Sequence, residues 1–598
     1  MKYDHTAAQP VYGREMSGAA IVVQALIDQG VKHIFGYPGG AVLPIFDEIY
    51  QQEKLQHILV RHEQAAGHAA EGYARATGKV GVLLVTSGPG ATNAVTPLQD
   101  ALIDSVPILC ISGQVPTTLI GSDAFQEADT VGITRPCTKH NWLVKNVNDL
   151  SRIIHEAFHV ARTGRPGPVL IDIPKDIQLA SGFYVEPKFV SMGYRPQLVG
   201  ETRAIDYAVD LLCAAKKPVI YSGGGVINSG AHAVRLLREL VHIGDFPITS
   251  TLMGLGAYPA NGKNWLGMLG MHGTYEANMT MHDCDIMLAV GARFDDRITG
   301  CLDAFSPDAK IIHIDIDPSS INKNVRVNVP IVGDVAYVLE AMMYRLRGIS
   351  SMQEPSARES WWQQINKWRE RKSLAYHQKT NVIMPQYAIE RLYTLTKKYN
   401  PYLTTEVGQH QMWTAQFFGF DEPCHWMTSG GLGTMGYGFP AAIGVQIARP
   451  DDLVICVAGD ASIQMNIQEL STAIQHRARV KVFIMNNQYM GMVRQWQQLL
   501  YGNRLSHSYV EAMPDFVKLA EAYGAIGIQC TKPGELDDCI REMVACDKPV
   551  LFDCRVVNLE NCFPMIPSGR AHNEMLLADE VTDDVMENAI DANDRSLV

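Results

Sequence analysis

The sequence predicts an α/β protein of three doubly wound domains, each built around a buried parallel sheet. Three observations predict it. Short apolar runs at residues 81–86, 107–112, 169–173, 218–222, 286–290, 310–316, 453–458 and 481–486 alternate with helical patterns along the chain. These runs are strand-sized and continuously apolar, as strands covered on both faces require. At 598 residues the chain is also far longer than one hydrophobic core supports.

Two segments break the rhythm and read as linkers: 183–200, which is Pro-rich and extended, and 348–355, which is polar and ends in Pro355. They divide the chain into domains at 1–185, 200–350 and 375–565, followed by a tail at 566–598. From Asp579 onward the tail carries seven acidic groups against one arginine, the composition of a loose end. In the first domain the apolar run at 82–85 leads into Ser87-Gly88-Pro89-Gly90. In the third, the run at 453–458 leads into Gly459-Asp460-Ala461-Ser462. The two domains therefore read as versions of one architecture, with ligands expected beyond the carboxyl ends of the strands.

The net charge of −12, without a dense Lys/Arg cluster, excludes an electrostatic footprint for nucleic acid or an anionic membrane. No apolar stretch reaches the roughly 20 residues of a membrane span. Residues 1–16 lack the apolar core of a signal peptide and the composition of a transit peptide, so a cytoplasmic protein is expected. Twelve cysteines without a CxxC pair suit reduced, structural thiols.

The strongest motif is Gly459-Asp460-Ala461-Ser462, followed by a helical pattern through Gln475, a second strand and Asn486-Asn487. A right-handed crossover brings Asp460 and Asn487 to the same sheet edge. A carboxylate and an amide oxygen suit Mg²⁺, with a backbone carbonyl near Tyr489 as a third oxygen. A helix starting near Ser462 would aim its N-terminal N–H groups at a phosphate. The plain alternative is a capped helix and an ordinary strand end. Glu63, in Val60-Arg61-His62-Glu63-Gln64-Ala65-Ala66, ends a strand-like run and opens an alanine-rich helix, where shelter from water would raise its pKa. Its alternative is a carboxylate stabilising a helix N-terminus.

Together these segments resemble the thiamine diphosphate-dependent enzymes: the GD-to-NN motif that holds Mg²⁺ and diphosphate, and the HE-type motif whose glutamate activates the aminopyrimidine ring. From about Met16 to Leu577 the chain is similar to acetohydroxyacid synthase catalytic subunits. The likeness rests on Phe35-Gly36-Tyr37-Pro38-Gly39-Gly40-Ala41, Gly113-Gln114-Val115-Pro116, Val407-Gly408-Gln409-His410-Gln411-Met412-Trp413 and Gly491-Met492-Val493.

The resemblance implies the pyrimidine-binding, central FAD-binding and diphosphate-binding domains of that fold. It also implies decarboxylation of pyruvate and ligation of the two-carbon remnant to a second pyruvate or to 2-ketobutyrate, the first common step of valine, leucine and isoleucine synthesis. Gly40, Gln126, Lys175, Arg297, Met492 and Trp496 would join Glu63 around the substrates. Pro38, Pro89, Asn93, Val407, Gly408, Gln409, His410, Gly433, Met435, Gly459, Ala461, Ser462, Met465 and Met490 would hold thiamine diphosphate; Asp460, Asn487 and Tyr489 would hold Mg²⁺. Met465 would support the bent cofactor, although a methionine there is otherwise core filler. Met492 and Trp496, four residues apart, would share a helix face over the pocket. Arg297, in Arg293-Phe294-Asp295-Asp296-Arg297, would face the acceptor carboxylate; its alternative is a surface charge cluster.

In the middle domain, Gly223-Gly224-Gly225 after one strand and Asp315 at the end of another suit a nucleotide fold, though not as GxGxxG. The resemblance makes FAD the ligand, lined by Arg165, Gly223, Gly224, Gly225, Met271, His272, Gly273, Arg293 and Asp315. Because carboligation moves no net electrons, that FAD is structural. A homodimer or tetramer and a separate small regulatory subunit are likewise implied. Another carboligase, a pyruvate oxidase-type enzyme and a non-catalytic scaffold are the rivals. Glu406 departs from the family pattern, which often has glycine there.

Overall fold

The computed structural model describes residues 13–187, 193–348 and 355–578. The chain divides into two compact units, Met1–Arg195 and Pro196–Val598.

The first unit holds a six-stranded parallel sheet and a small ribbon. In chain order its strands are β1 (Arg14–Ser17), β2 (His33–Gly36), β3 (Gln56–Leu59), β4 (Gly81–Val85), β5 (Ile108–Gln114), β6 (His140–Leu143), β7 (Val169–Pro174) and β8 (Ser181–Tyr184). The sheet runs β3-β2-β4-β5-β7-β6. β4, β5 and β7 are buried along their whole length, which is why they stand out as continuous apolar runs.

The second unit contains two six-stranded parallel sheets. The central one comprises β9 (Pro218–Ser222), β10 (Ile248–Ser250), β11 (Trp265–Met268), β12 (Ile286–Val290), β13 (Lys310–Asp315) and β14 (Val329–Val332), in the order β11-β10-β9-β12-β13-β14. Counted along the chain this is 3-2-1-4-5-6, the order that opens a nucleotide crevice between its first and fourth strands. Its two faces separate by strand period: Ile220, Leu288, Val290, Ile312 and Ile314 enter one core, and Val219, Tyr221, Met287, Ala289 and Ile311 the other.

The third sheet comprises β15 (Tyr402–Thr405), β16 (Trp426–Met427), β17 (Val454–Gly459), β18 (Lys481–Asn486), β19 (Ile526–Cys530) and β20 (Val550–Arg555), in the order β16-β15-β17-β18-β20-β19. Counted along the chain, the first and third sheets both run 2-1-3-4-6-5. The shared architecture expected from their turns therefore extends to every strand. In each, the order reverses between the first and third strands, and both turns singled out in the sequence follow the third.

Four sequence expectations are corrected. The segment 183–200 does not begin as a linker: Phe183 and Tyr184 lie in β8, paired antiparallel with β1, and the Tyr184 hydroxyl donates to the Asp28 carboxylate. Residues 188–192 of that segment fall outside the described chain. Pro355, placed in a linker, opens the helix Pro355–Arg369, where proline is at home in the first turn; 349–354 lie outside the described residues. That helix lays Trp361 and Trp368 on the central sheet, and Trp361 Nε1 donates to the Pro218 carbonyl at 3.1 Å.

The helix expected from Ser462 is two 3₁₀ turns, Ile463–Met465 and Ile467–Glu469, before the α-helix Leu470–Gln475. Tightening follows from local side chains: Ser462 Oγ donates to the Gly459 carbonyl at 3.2 Å and Asn466 Nδ2 to the Gly436 carbonyl at 2.7 Å. Finally, packed chain continues beyond 566. Ile566, Met575 and Leu577 are buried against Tyr275 and Met279, and the His572 ring bonds the Ile298 carbonyl. The acidic stretch from Asp579 lies outside the described residues.

Candidate functional site

In the first unit, the helix Glu63–Thr77 starts immediately after β3, capped by the His62 ring, which accepts from the Gln64 N–H. Asn93 Nδ2 donates to Glu63 Oε2 at 2.9 Å, so two predicted residues meet. Glu63 is half-buried in this chain, less sheltered than the sequence reading required. Pro89 opens the short helix Pro89–Asn93, and a Cβ on Gly88 would lie 2.8 Å from the Gln126 carbonyl oxygen, which brings Gln126 to the same edge. Gln126 holds a left-handed φ of 60°, a conformation costly for its residue type. Pro38 and Gly40 follow β2 and are exposed, and a Cβ on Gly40 would meet nothing within 4 Å. Packing within the chain therefore does not demand glycine at 40, and the space beside it is open. Lys175 opens a one-turn helix beyond β7.

In the third sheet, Glu406-Val407-Gly408 follows β15, Gly459-Asp460 follows β17 and Asn487 follows β18, all on one carboxyl edge. Asp460 is 1% exposed; its Oδ2 accepts from the Gln488 N–H at 2.6 Å and its Oδ1 from the Ala461 N–H at 2.9 Å. Asp460 thus ties its own turn to the one carrying Asn487. Burial pushes its carboxyl up to about 7, against which the backbone hydrogen bonds pull. Asn487 Oδ1 accepts from the Tyr489 N–H at 3.1 Å. Carboxylate, amide and carbonyl oxygens at one edge form the hard donor set that Mg²⁺ prefers.

The His410 ring is buried, donates to the Glu406 carbonyl and is held neutral, burial lowering its pKa to about 3. Its Nε2 has no hydrogen-bond partner. A Cβ on Gly459 would lie 2.9 Å from this ring, so close approach restricts that position to glycine. Met465 is 54% exposed in its 3₁₀ turn, which removes the core-filler alternative. Gly433 and Met435 sit on the loop between β16 and the helix Gly438–Ala448. These features fit a diphosphate-bearing cofactor: an anion-ready turn, an orphaned buried imidazole and an exposed apolar side chain.

Glu406 turns inward. It is fully buried, accepting from the Gly436 N–H at 2.6 Å and the Phe439 N–H at 3.0 Å. No Lys or Arg pairs with it among the described residues.

The helix Gly491–Leu500 leaves Met492 and Trp496 half-buried, with Trp496 packed against the buried Leu499, Leu500 and Met565. The Arg297 guanidinium lies over the Trp496 ring, 5.3 Å from its centroid. Two residues from separate helices, each predicted for the acceptor, are therefore in contact. Phe294 is buried, and Asp295 caps the helix Asp296–Thr299, so this segment is anchored and not a free surface cluster.

At the central crevice, Gly223 and Gly225 approach Gly291 so closely that a Cβ on Gly225 would lie 2.7 Å from the Gly291 Cα. Ser222 Oγ, Thr251 Oγ1 and His272 Nε2 are buried without hydrogen-bond partners, polar groups suited to a nucleotide cofactor. His272 Nδ1 bonds the Pro564 carbonyl at 3.0 Å, and the Met271 N–H donates to the Arg297 carbonyl at 2.9 Å. Gly273 is buried beside them, Asp315 ends β13 and Arg293 faces Asp295 at 3.6 Å. Arg165 lies in the first unit, where Nε donates to Ser105 Oγ at 2.8 Å and Nη2 to the Ile103 carbonyl at 3.0 Å.

Sequence reasoning missed Gln495 and Arg494. Gln409 Nε2 donates to Gln495 Oε1 at 2.7 Å, and buried Arg494 donates to the Glu560 carbonyl and the Asn561 side chain. Their signal, two polar residues turned inward on an amphipathic helix, lies outside the motif.

Three regions match thiamine pyrophosphate enzyme families: residues 16–133 the N-terminal TPP binding domain, 205–342 the central domain and 406–554 the C-terminal TPP binding domain. The chain is 52% identical to the acetolactate synthase isozyme 3 large subunit of Escherichia coli (strain K12), over 94% of this chain and 99% of that protein. It is 50% identical to the acetolactate synthase large subunit of Haemophilus influenzae over the same shares, and 48% identical to that of Pyropia yezoensis over 94% and 95%. Among the described residues no helix is long and apolar enough to cross a membrane. Half of all positions are shared across nearly the full length of these enzymes, with the three domains in order, and the chain belongs to the acetolactate synthase large-subunit family of thiamine pyrophosphate enzymes.

Proposed function

We propose that this chain decarboxylates pyruvate and joins the two-carbon remnant to a second pyruvate, giving 2-acetolactate, or to 2-ketobutyrate, giving 2-aceto-2-hydroxybutyrate. The observation that carries the carboligase reading is the Arg297–Trp496 contact, a fixed cation against an aromatic wall. A second 2-keto acid needs a site of this kind; a simple decarboxylase does not.

Bound thiamine diphosphate supplies the electron sink for the carbanion left by loss of carbon dioxide. Glu63, oriented by Asn93, holds the proton that activates the aminopyrimidine ring. Asp460, Asn487 and the Tyr489 carbonyl would hold Mg²⁺, whose charge would favour the ionised Asp460 carboxylate. Val407, Gly408, Gln409, His410, Gly459, Ala461, Ser462 and Met490 surround the diphosphate, while Pro38, Pro89, Gly433, Met435 and Met465 position the rings. Gly40, Gln126 and Lys175 border the reacting carbon, Arg297 binds the acceptor carboxylate, and Met492 and Trp496 wall its side chain. FAD fills the central crevice in a structural role, lined by the residues named for it above.

The functional domains are assigned to 1–185, 200–350 and 375–565, with the helix Pro355–Arg369 and residues 566–577 added to the packed chain, and the active form to a cytoplasmic homodimer or tetramer. A small regulatory subunit is supported by the designation "large subunit" in the relatives. The test is product analysis of the purified chain with thiamine diphosphate, Mg²⁺, FAD and pyruvate, with and without 2-ketobutyrate. Acetolactate and acetohydroxybutyrate are expected; acetate, acetyl phosphate or acetaldehyde as the main product would overturn the assigned reaction.

A further inference from the structure

Glu406 is the residue that the family pattern did not absorb. It stands directly after β15, and its neighbours in sequence, Val407-Gly408-Gln409-His410, form one arm of the proposed cofactor site. The other arm is the loop carrying Gly433 and Met435, which ends at the helix Gly438–Ala448. One fully buried carboxylate spans the junction of the two arms: its Oε2 takes the Gly436 N–H and its Oε1 the Phe439 N–H. The backbones meet so tightly that a Cβ on Gly438 would lie 2.5 Å from the Glu406 nitrogen.

Burial pushes the Glu406 carboxyl up to about 7, against which the hydrogen bonds from the backbone at Phe439 and Gly436 pull, and among the described residues no Lys or Arg pairs with it. The titratable side chain facing the carboxyl is Cys456 on β17, whose thiol burial pushes up; the neutral His410 ring bonds the Glu406 backbone carbonyl instead. What faces the carboxylate is the N-terminus of an 11-residue helix, whose free N–H groups and dipole favour an anion. Only a carboxylate of this reach offers two acceptor oxygens to donors on both sides of the turn.

We propose that Glu406 is a positioning residue for thiamine diphosphate, clamping the Gly433–Met435 loop against the Val407–His410 turn and so setting cofactor affinity. This rests on the function proposed above. The Gln replacement keeps size but offers one acceptor oxygen and an NH₂ group facing an N–H; the Asp replacement keeps charge but loses reach.

The test is calorimetric titration of the full chain, freed of cofactor, with thiamine diphosphate in saturating Mg²⁺, comparing wild type, Glu406→Gln and Glu406→Asp. Pyruvate KM and kcat are then measured at saturating cofactor, and thermal melting alongside. The clamp predicts at least a tenfold rise in cofactor Kd for Glu406→Gln and a smaller rise for Glu406→Asp. Pyruvate KM stays within twofold, and both variants melt cooperatively. A Kd within twofold of wild type for Glu406→Gln overturns the proposal. So does loss of cooperative folding in both variants, which makes Glu406 a structural cap only. Failure of the wild type itself to bind thiamine diphosphate sinks the functional reading instead.

Discussion

Burial pushes the Asp172 carboxyl up to about 7, even though Ser112 Oγ donates to it at 2.6 Å and Gln114 Nε2 at 3.0 Å. Its folded pKa stands above the unfolded one, so its contribution to stability is full below about pH 4 and lost as pH rises through 7. The shift corresponds to roughly 4 kcal/mol across that window. Asp172→Asn removes the titration at a cost of about 1 kcal/mol in acid, where one hydrogen bond is lost. Melting temperatures from pH 5 to pH 8 should fall less steeply for the variant than for the wild type; parallel curves would exclude Asp172 as a source. Nearer the chemistry, Trp496→Leu should lower the preference for 2-ketobutyrate over pyruvate by roughly tenfold, because one methylene in an apolar pocket is worth about 1–3 kcal/mol. Product ratios under competition read this directly, and unchanged ratios would remove Trp496 from the acceptor pocket. Arg297→Gln should weaken acceptor affinity in the same assay, through loss of the carboxylate partner.

At the scale of elements, the helix Pro355–Arg369 is the least expected support of the central sheet. Trp361 and Trp368 pack edge to face, 5.5 Å between centroids, in the same cluster as Tyr221 and Phe294 beside the crevice. Trp361→Ala should cost about 3–5 kcal/mol and loosen FAD retention. Thermal melting and the flavin remaining after gel filtration check both. That this helix escaped the sequence reading has a physical cause. Strands such as β9, β12 and β18 are buried on both faces and announce themselves as continuous apolar runs, whereas three tryptophans among charged and polar residues resemble a solvated helix. β8 escaped because it is half exposed and partners a strand some 165 residues earlier in sequence. At the site, Asp460, Asn487 and Glu63 were readable because turn chemistry is local. The Gln409–Gln495 bond joins remote stretches through a polar contact, and the docking of residues 562–577 does so through isolated apolar residues such as Ile566, Met575 and Leu577; neither is encoded in a periodicity.

On the scale of the molecule, the reaction proposed for this chain transfers no net electrons although a flavin is expected in it. The visible absorbance of bound FAD should therefore stay oxidised throughout turnover of pyruvate; bleaching in step with product would return the pyruvate oxidase-type reading. The shared strand order of the first and third sheets has a historical consequence. Identical winding in two segments of one chain is the pattern that duplication of a single domain would produce. After the third strand one copy has Asp460, an oxygen donor for a cation, whereas the other has Gly88 at a left-handed φ of 58° followed by Pro89. The copy without the metal ligand is the one that carries Glu63. Under the proposed function, the same winding thus presents two different edges, one for a charged head group and one for a proton.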